Sequence, residues 1–386
     1  MRIWHVNIGN HAGPVDGVAV ISSQLARDQA RLGHDVRLVV TAAVEHHESV
    51  RAAAGDDVTL ALAVERGEAR RAAAALLDDP ATRPDVVHLH SVFRPAHRLL
   101  AAQARRSGVP VVLSPHSGLA PDLLARDRWR KALYGRAVER RFHRVADGVH
   151  ALQLVERDDV HRYCGDADRA VEVIANPYAP ELAGAPRWTG RSDGSGPPRL
   201  VMLSRFDVYQ KGLDRMVAIA DALPDVAIDV YGHSDKNAPA AAEALMAAAP
   251  PNVAFRQPVH GEDKLRILRE ADLFLQPSRV EGLSVALVEA MTLGVPCAVS
   301  GYVGRSLDMD RHGTALELDD APAAAAGQIA AVLADRPRAK ALGARAASYA
   351  ALHFAPAKVA AAHLAHYERL AAPRRAPDQP AITRSA

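Results

Sequence analysis

The chain has only two cysteines in 386 residues, Cys164 and Cys297, and its charges nearly cancel at a formal +2. Two thiols build no disulfide framework, and Cys297 falls in a stretch that reads as a buried strand. A balance this close to zero gives no case for nucleic acid or another polyanion as partner. Long apolar runs are missing too. Met1-Arg2-Ile3-Trp4-His5-Val6-Asn7 lacks the apolar core of a signal peptide, and no window reaches the length of a membrane-spanning helix. A cytoplasmic protein is the expectation. The chain is 49% hydrophobic and too long for one ordinary core, so two globular domains are expected.

Strand-like and helix-like stretches alternate. Ile3 to Ile8 reads as a buried strand, followed by a loop with Gly9, Gly13, Pro14 and Gly17, then a helix through Ser22, Leu25 and Leu32 that Gly33 ends. The loop has neither the G-x-G-x-x-G spacing of a dinucleotide site nor the Gly-Lys-Ser/Thr of a P-loop. Asp35 to Val40, Asp85 to His90, Val109 to Leu113 and Val171 to Ile174 read as further strands, with helices over Ala69 to Leu77 and residues 95–107. This order argues for a parallel sheet covered on both faces. Residues 183–199 are rich in Gly and Pro and read as a linker. A second series follows: Leu200 to Leu203, Val226 to Tyr231, Val253 to Phe255, Leu273 to Leu275, Cys297 to Val299 and Ala315 to Leu318. An amphipathic helix then runs from Pro356 to about Leu370, and Pro373 onward reads as a frayed tail.

The most informative stretch is 276–300. Pro277 and Ser278 stop a buried strand, and Gly282 permits a sharp turn. A helix starts from Ser284 as N-cap, buries Leu287, Val288 and Met291, and ends at Gly294 and Pro296. The mouth of such a strand–helix junction is where ligands bind in a doubly wound sheet. The N–H groups of Gly282, Leu283, Ser284 and Val285 and the helix dipole attract an anion there. Two acids, Glu281 and Glu289, frame that site, which suits a ligand carrying hydroxyls as well as phosphates. Ser-Arg-x-Glu-Gly-(six residues)-Glu-Ala-Met-(two residues)-Gly-x-Pro resembles the signature of the family 4 retaining glycosyltransferases of the GT-B fold. Ser204-Arg205-Phe206-Asp207-(three residues)-Lys211-Gly212-Leu213-Asp214 resembles the Arg-(five residues)-Lys-Gly segment of the same family.

The resemblance implies an α/β chain of GT-B architecture, with two doubly wound Rossmann-like domains facing a cleft and a C-terminal helix crossing back to the first. Residues 1–182 would bind the acceptor and 200–355 the nucleotide sugar, with 356–372 as the crossing helix and 373–386 as tail. Arg205 would fork onto phosphate oxygens and Lys211 add a point charge, stabilising charge that grows on the leaving diphosphate. Glu289 would take the ribose hydroxyls, and Glu281 a hydroxyl of the transferred sugar. His116, at a strand end in Ser114-Pro115-His116-Ser117, fits the family histidine that reaches the donor sugar. Gly17 is carried over as a backbone approach to the diphosphate or acceptor, and Val259 as a main-chain contact to the base. No cofactor is expected beyond the nucleotide-diphosphate sugar as substrate. No metal is expected: no Asp-x-Asp motif stands at a strand end, Asp308-Met309-Asp310 lying in a loop past the site. A metal site at His88, His90 and His116 is set aside, because no carboxylate or cysteine is spaced to complete it.

The implied activity is retaining transfer of a sugar from a nucleotide-diphosphate sugar to a small-molecule, glycan or lipid-linked acceptor. The rivals are a GT-B epimerase, a phosphorylase, and a non-catalytic module that only binds sugar nucleotide. Loops at 41–56 and 117–130 are expected to choose the acceptor. Residues 126–147 carry many arginines with aromatic residues at helical spacing. They read first as a core helix with a solvated face, and otherwise as a contact with an anionic membrane or a phosphorylated acceptor.

Overall fold

A computed structural model describes residues 1–8, 17–42, 44–125, 139, 142, 146–190, 196–234 and 239–372. The glycine loop 9–16, most of the basic stretch 126–147 and the tail 373–386 lie outside the described residues.

Two parallel sheets organise the chain. The first holds β1 (Arg2–Asn7), β2 (Asp35–Thr41), β3 (Thr59–Ala63), β4 (Val86–His90), β5 (Val111–Ser114), β6 (Gly148–Ala151) and β7 (Glu172–Val173), in the order β3-β2-β1-β4-β5-β6-β7. The second holds β8 (Arg199–Leu203), β9 (Ala227–Tyr231), β10 (Val253–Arg256), β11 (Leu273–Gln276), β12 (Cys297–Ser300) and β13 (Leu316–Leu318), in the order β10-β9-β8-β11-β12-β13. Each order reverses beside its first strand, which leaves a crevice at the carboxyl ends of the strands. Both faces of both sheets are buried under helices, as near-continuous apolar strands such as Val111–Ser114 require.

The expected strands are present among the described residues, and several further elements were not anticipated. Strands β3 and β6 escape notice because one is a half-buried edge strand and the other is four residues opening on glycine. Residues 41–56, expected as loop, contain the helix His47–Ala54, and Leu154–Cys164 forms a helix after β6. The Gly/Pro-rich stretch between the sheets is pinned by Trp188, whose N–H donates to the Leu293 carbonyl at 2.8 Å and whose ring N–H donates to the Ala271 carbonyl at 2.7 Å.

The last helix, Pro356–Ala371, returns to the first sheet and packs beside helix Gly17–Arg31. Its Leu364 and Tyr367 join Ile3, Val36, Leu38, Val86 and Val112 in one apolar cluster. Gly148 lets it approach: a Cβ there would sit 2.7 Å from Leu370 and 2.8 Å from His366. Among the described residues no helix is long and apolar enough to cross a membrane.

Candidate active site

Helix Val285–Leu293 starts as its sequence dictates. Ser284 is extended at φ −64°, ψ 123°, and its hydroxyl accepts from the Leu287 N–H at 3.4 Å; Gly294 ends the helix at φ +82°. Its tip therefore faces the crevice with unsatisfied N–H groups and a positive partial charge. Glu281 sits just before it. Lys211 Nζ donates to both Glu281 oxygens, at 2.6 and 2.9 Å, and Ser278 Oγ adds a third bond at 3.2 Å. Two motifs seventy residues apart thus meet in one ion pair.

The loop carrying Arg205 and Lys211 is locked to the loop carrying Glu281 in three ways. The Arg279 and Val280 N–H groups both donate to the Gln210 carbonyl, and Arg279 grips Asp214 through two bonds of 2.7 and 2.6 Å. Gly212 lies at φ +67°, and a Cβ there would meet the Pro277 carbonyl at 2.3 Å, so this crossing admits only glycine. Arg205 donates to Gln210 Oε1 at 3.4 Å, on the same loop as Lys211.

Glu289 lies on the buried face of its helix. Lys264, from helix Gly261–Glu270, donates to its Oε1 at 2.6 Å, while Oε2 is buried with no partner. Burial raises the Glu289 pKa and the lysine opposes that rise. A half-satisfied buried carboxylate of this kind is positioned to take a ligand hydroxyl. Val259 is half-buried in the loop between β10 and the Lys264 helix. Gly17 is the exposed first residue of its helix, with open space where a side chain would be.

The first sheet closes the crevice from the other side. Gln153 Nε2 donates to the Glu281 carbonyl at 2.9 Å and Asn176 Nδ2 to the Leu283 carbonyl at 3.2 Å, bracketing Gly282. A Cβ on Gly282 would come 2.9 Å from Ser117 Oγ. His116 and Ser117 both have left-handed backbones, φ 50° and 61°, a strained pair that buried Glu156 holds by accepting the Ser117 and Leu152 N–H groups at 2.5 and 2.6 Å. Burial pushes the Glu156 carboxyl up to about 7 despite those two bonds. Tyr302 faces the same pocket: burial raises its phenol, and Asp159, Glu156, Glu281 and Asp122 push it further. Tyr209 of the second sheet's first loop donates to Asp122 at 3.4 Å across the crevice.

His116, Lys211, Glu281 and Gly282–Val285 therefore border one crevice, with Arg205 on the loop of Lys211 and Glu289 along the same helix. Sequence reasoning missed Lys264, Gln153, Glu156 and Tyr209, which reach the site through tertiary contact alone. The histidines are closer than expected. Nitrogens of His5, His88 and His90 lie within 4.8 Å of one another. All six of their ring nitrogens have hydrogen-bond partners, which is the arrangement of a bonded polar core.

Residues 16–177 match the model of the glycosyl transferase 4-like domain, and residues 192–349 that of glycosyl transferases group 1. No curated protein sequence matches the chain. Among solved structures, sucrose-phosphate synthase from Thermosynechococcus elongatus superposes with a TM-score of 0.77 at 17% identity, covering 96% of this chain and 98% of that one. HepE from Anabaena, solved in complex with UDP-glucose, gives 0.73 at 17% identity, covering 95% and 100%. WaaG, a glycosyltransferase involved in lipopolysaccharide biosynthesis, gives 0.65 at 16% identity, covering 93% and 98%. At such identities the likeness is one of fold.

Proposed function

The chain belongs to the family 4 glycosyltransferases of the GT-B fold, and on that premise we propose that it transfers a sugar, with retention, from a nucleotide-diphosphate sugar to an acceptor hydroxyl. The reaction serves glycoconjugate, polysaccharide or natural-product assembly in the cytoplasm, and needs no metal. The observation that carries this reading is the Lys211–Glu281 pair at the tip of helix Val285–Leu293. An anionic leaving group and a hydroxyl-bearing sugar are the two ligand chemistries that such a tip and such an acid serve together.

In this reading the diphosphate rests against the Gly282–Val285 N–H groups, Arg205 and Lys211, with Gly17 approaching from the first domain. Negative charge builds on the bridging oxygen as the glycosidic bond breaks, and fixed cations there stabilise the transition state more than the ground state. Lys211 is already paired, so incoming phosphate shares its ammonium and leaves Glu281 to accept from a sugar hydroxyl. The second, partnerless oxygen of Glu289 accepts from the ribose, and the Val259 backbone meets the base. His116 lies at the sugar. Acceptor attack occurs on the face the diphosphate leaves, which takes the acceptor proton, so no separate base is assigned.

Thermal-shift measurements with UDP-, GDP-, ADP- and dTDP-sugars identify the donor, since a ligand selective for the folded state raises its apparent stability. UDP-glucose, bound in the HepE structure, is the first to try. Lys211→Ala and Glu281→Ala are expected to fold and to lose about a hundredfold or more in turnover. If both transfer sugar at the parent rate, the assignment of the site is wrong. Consumption of donor without acceptor would mark an epimerase, and a coloured, pyridoxal-bearing protein a phosphorylase. Binding with neither hydrolysis nor transfer would mark a silent module.

A further inference from the structure

Beneath helix Gly17–Arg31 and the closing helix, the first sheet is polar where a parallel sheet is ordinarily apolar. Alternate positions on one face read Ile3-His5 on β1, Val86-His88-His90 on β4, Val112-Ser114 on β5 and Gly148-His150 on β6. Gln29 from the first helix and His363 and Tyr367 from the closing helix complete the layer, all of it buried. Its hydrogen bonds form two lines, each with a direction set at one end.

The Ile174 carbonyl can only accept, so the 2.7 Å bond from His150 Nε2 carries a proton on that nitrogen. Burial keeps His150 neutral, with a pKa lowered to about 3, so its Nδ1 holds a lone pair. Ser114 must then donate to Nδ1 at 2.5 Å, and with its one proton spent it accepts from His88 Nε2 at 2.6 Å. His88 is also held neutral by burial, so its Nδ1 accepts the Tyr367 phenol proton at 2.6 Å. The phenol oxygen is left as an acceptor, and this line ends there. A second line starts at Gln29, whose amide nitrogen makes no hydrogen bond and whose Oε1 takes the proton of His5 Nε2 at 2.9 Å. His5 Nδ1 accepts from His90 Nε2 at 2.9 Å, and His90 Nδ1 accepts from His116 Nε2 at 3.0 Å.

We propose that the line from Gln29 through His5 and His90 sets the tautomer of His116: proton inward on Nε2, lone pair on Nδ1. His116 then enters the reaction as a hydrogen-bond acceptor for a hydroxyl, not as a donor to a phosphate oxygen. Gln29, His5 and His90 are positioning residues that act through His116. This last step rests on the placement of His116 at the glycosyl-transfer site; the tautomer itself does not.

The test is long-range proton–nitrogen NMR of the full chain labelled with 15N-histidine, His116 being assigned by the resonance lost in His116→Gln. The neutral Nε2–H pattern is expected for His116 at pH 7.5. Gln29→Leu should convert it to a mixture of tautomers and lower kcat about tenfold, the worth of one displaced neutral hydrogen bond. An Nδ1–H pattern or an imidazolium in the parent protein would overturn the proposal. So would a Gln29→Leu protein that keeps both the parent tautomer and the parent kcat. If the parent shows the expected tautomer but transfers no sugar from any donor, the transfer reading falls and the buried line stands.

Discussion

The buried histidine layer makes the first sheet acid-labile, and the size of the effect follows from the structure. Burial holds His5 down to about 4 and His150 to about 3, and His88, His90 and His363 well below their usual range. Their neighbours on every packed element, His116, His366, Tyr367 and Gln29, supply no carboxylate to the layer; Glu172 reaches only His366, at 3.7 Å. A histidine whose folded pKa is depressed contributes stability that is complete above the unfolded value and is lost as pH falls below it. At pH 5 the unfolded imidazole, of pKa about 6.5, is protonated and the folded His5 and His150 are not, so these two cost about 2 kcal/mol each relative to pH 7.5. His88, His90 and His363 add losses of the same sign. Two acids oppose them. Glu156, raised to about 7, and Asp28, raised to about 6, bind protons in the folded state first and together return about 4 kcal/mol over the same interval. Asp159 shifts in the same direction. The two acids offset His5 and His150, so the net loss is carried by His88, His90 and His363. It should lower the melting temperature of the first-sheet unit between pH 7.5 and pH 5. Differential scanning calorimetry of the full chain reads this directly. The second-sheet unit serves as internal control: its buried Glu289 is raised and its His353 lowered, so the two act in opposite directions on acidification and the unit changes little. Equal melting of the first-sheet unit at the two pH values, or an equal fall in both units, would refute the reasoning.

Three further outcomes are expected. Lys264→Met leaves Glu289 buried with an uncompensated charge, which should cost about 3 kcal/mol in urea unfolding at pH 7.5 and weaken donor binding in calorimetric titration. Gly212→Ala forces a Cβ onto the Pro277 carbonyl in a left-handed backbone, and should lower the melting temperature of the second-sheet unit by on the order of 5 °C or more, with turnover falling as Lys211 shifts. Ser284→Ala removes the cap of helix Val285–Leu293 and should cost about 1 kcal/mol in denaturant titration, while raising the donor KM through a looser N–H tip.

What was legible in the sequence was whatever the chain settles locally. A strand stop, a turn glycine, a capping serine and a terminating glycine within 276–300 each have a chemical reason at their own position, and the helix they frame is the one observed. Lys211 and Glu281 were readable as members of two motifs, yet their 2.6 Å contact was not, because seventy residues of intervening chain had first to place β8 beside β11. Lys264 shows the same limit more sharply. On an exposed-looking amphipathic helix it is one charge among several, and only the packing of that helix beside Glu289 singles it out. The histidine layer was the one distant feature with a readable trace. His5, His88, His90 and His150 recur at alternate positions in short strands that otherwise run apolar, and four polar interruptions on one face must find partners once buried. His88 finds its partner 279 residues downstream. The helix that crosses between the two halves is therefore held to the first sheet by a hydrogen bond as well as by the Leu364 and Tyr367 apolar contacts. Truncating the chain before it would strip an acceptor line and an apolar cluster together.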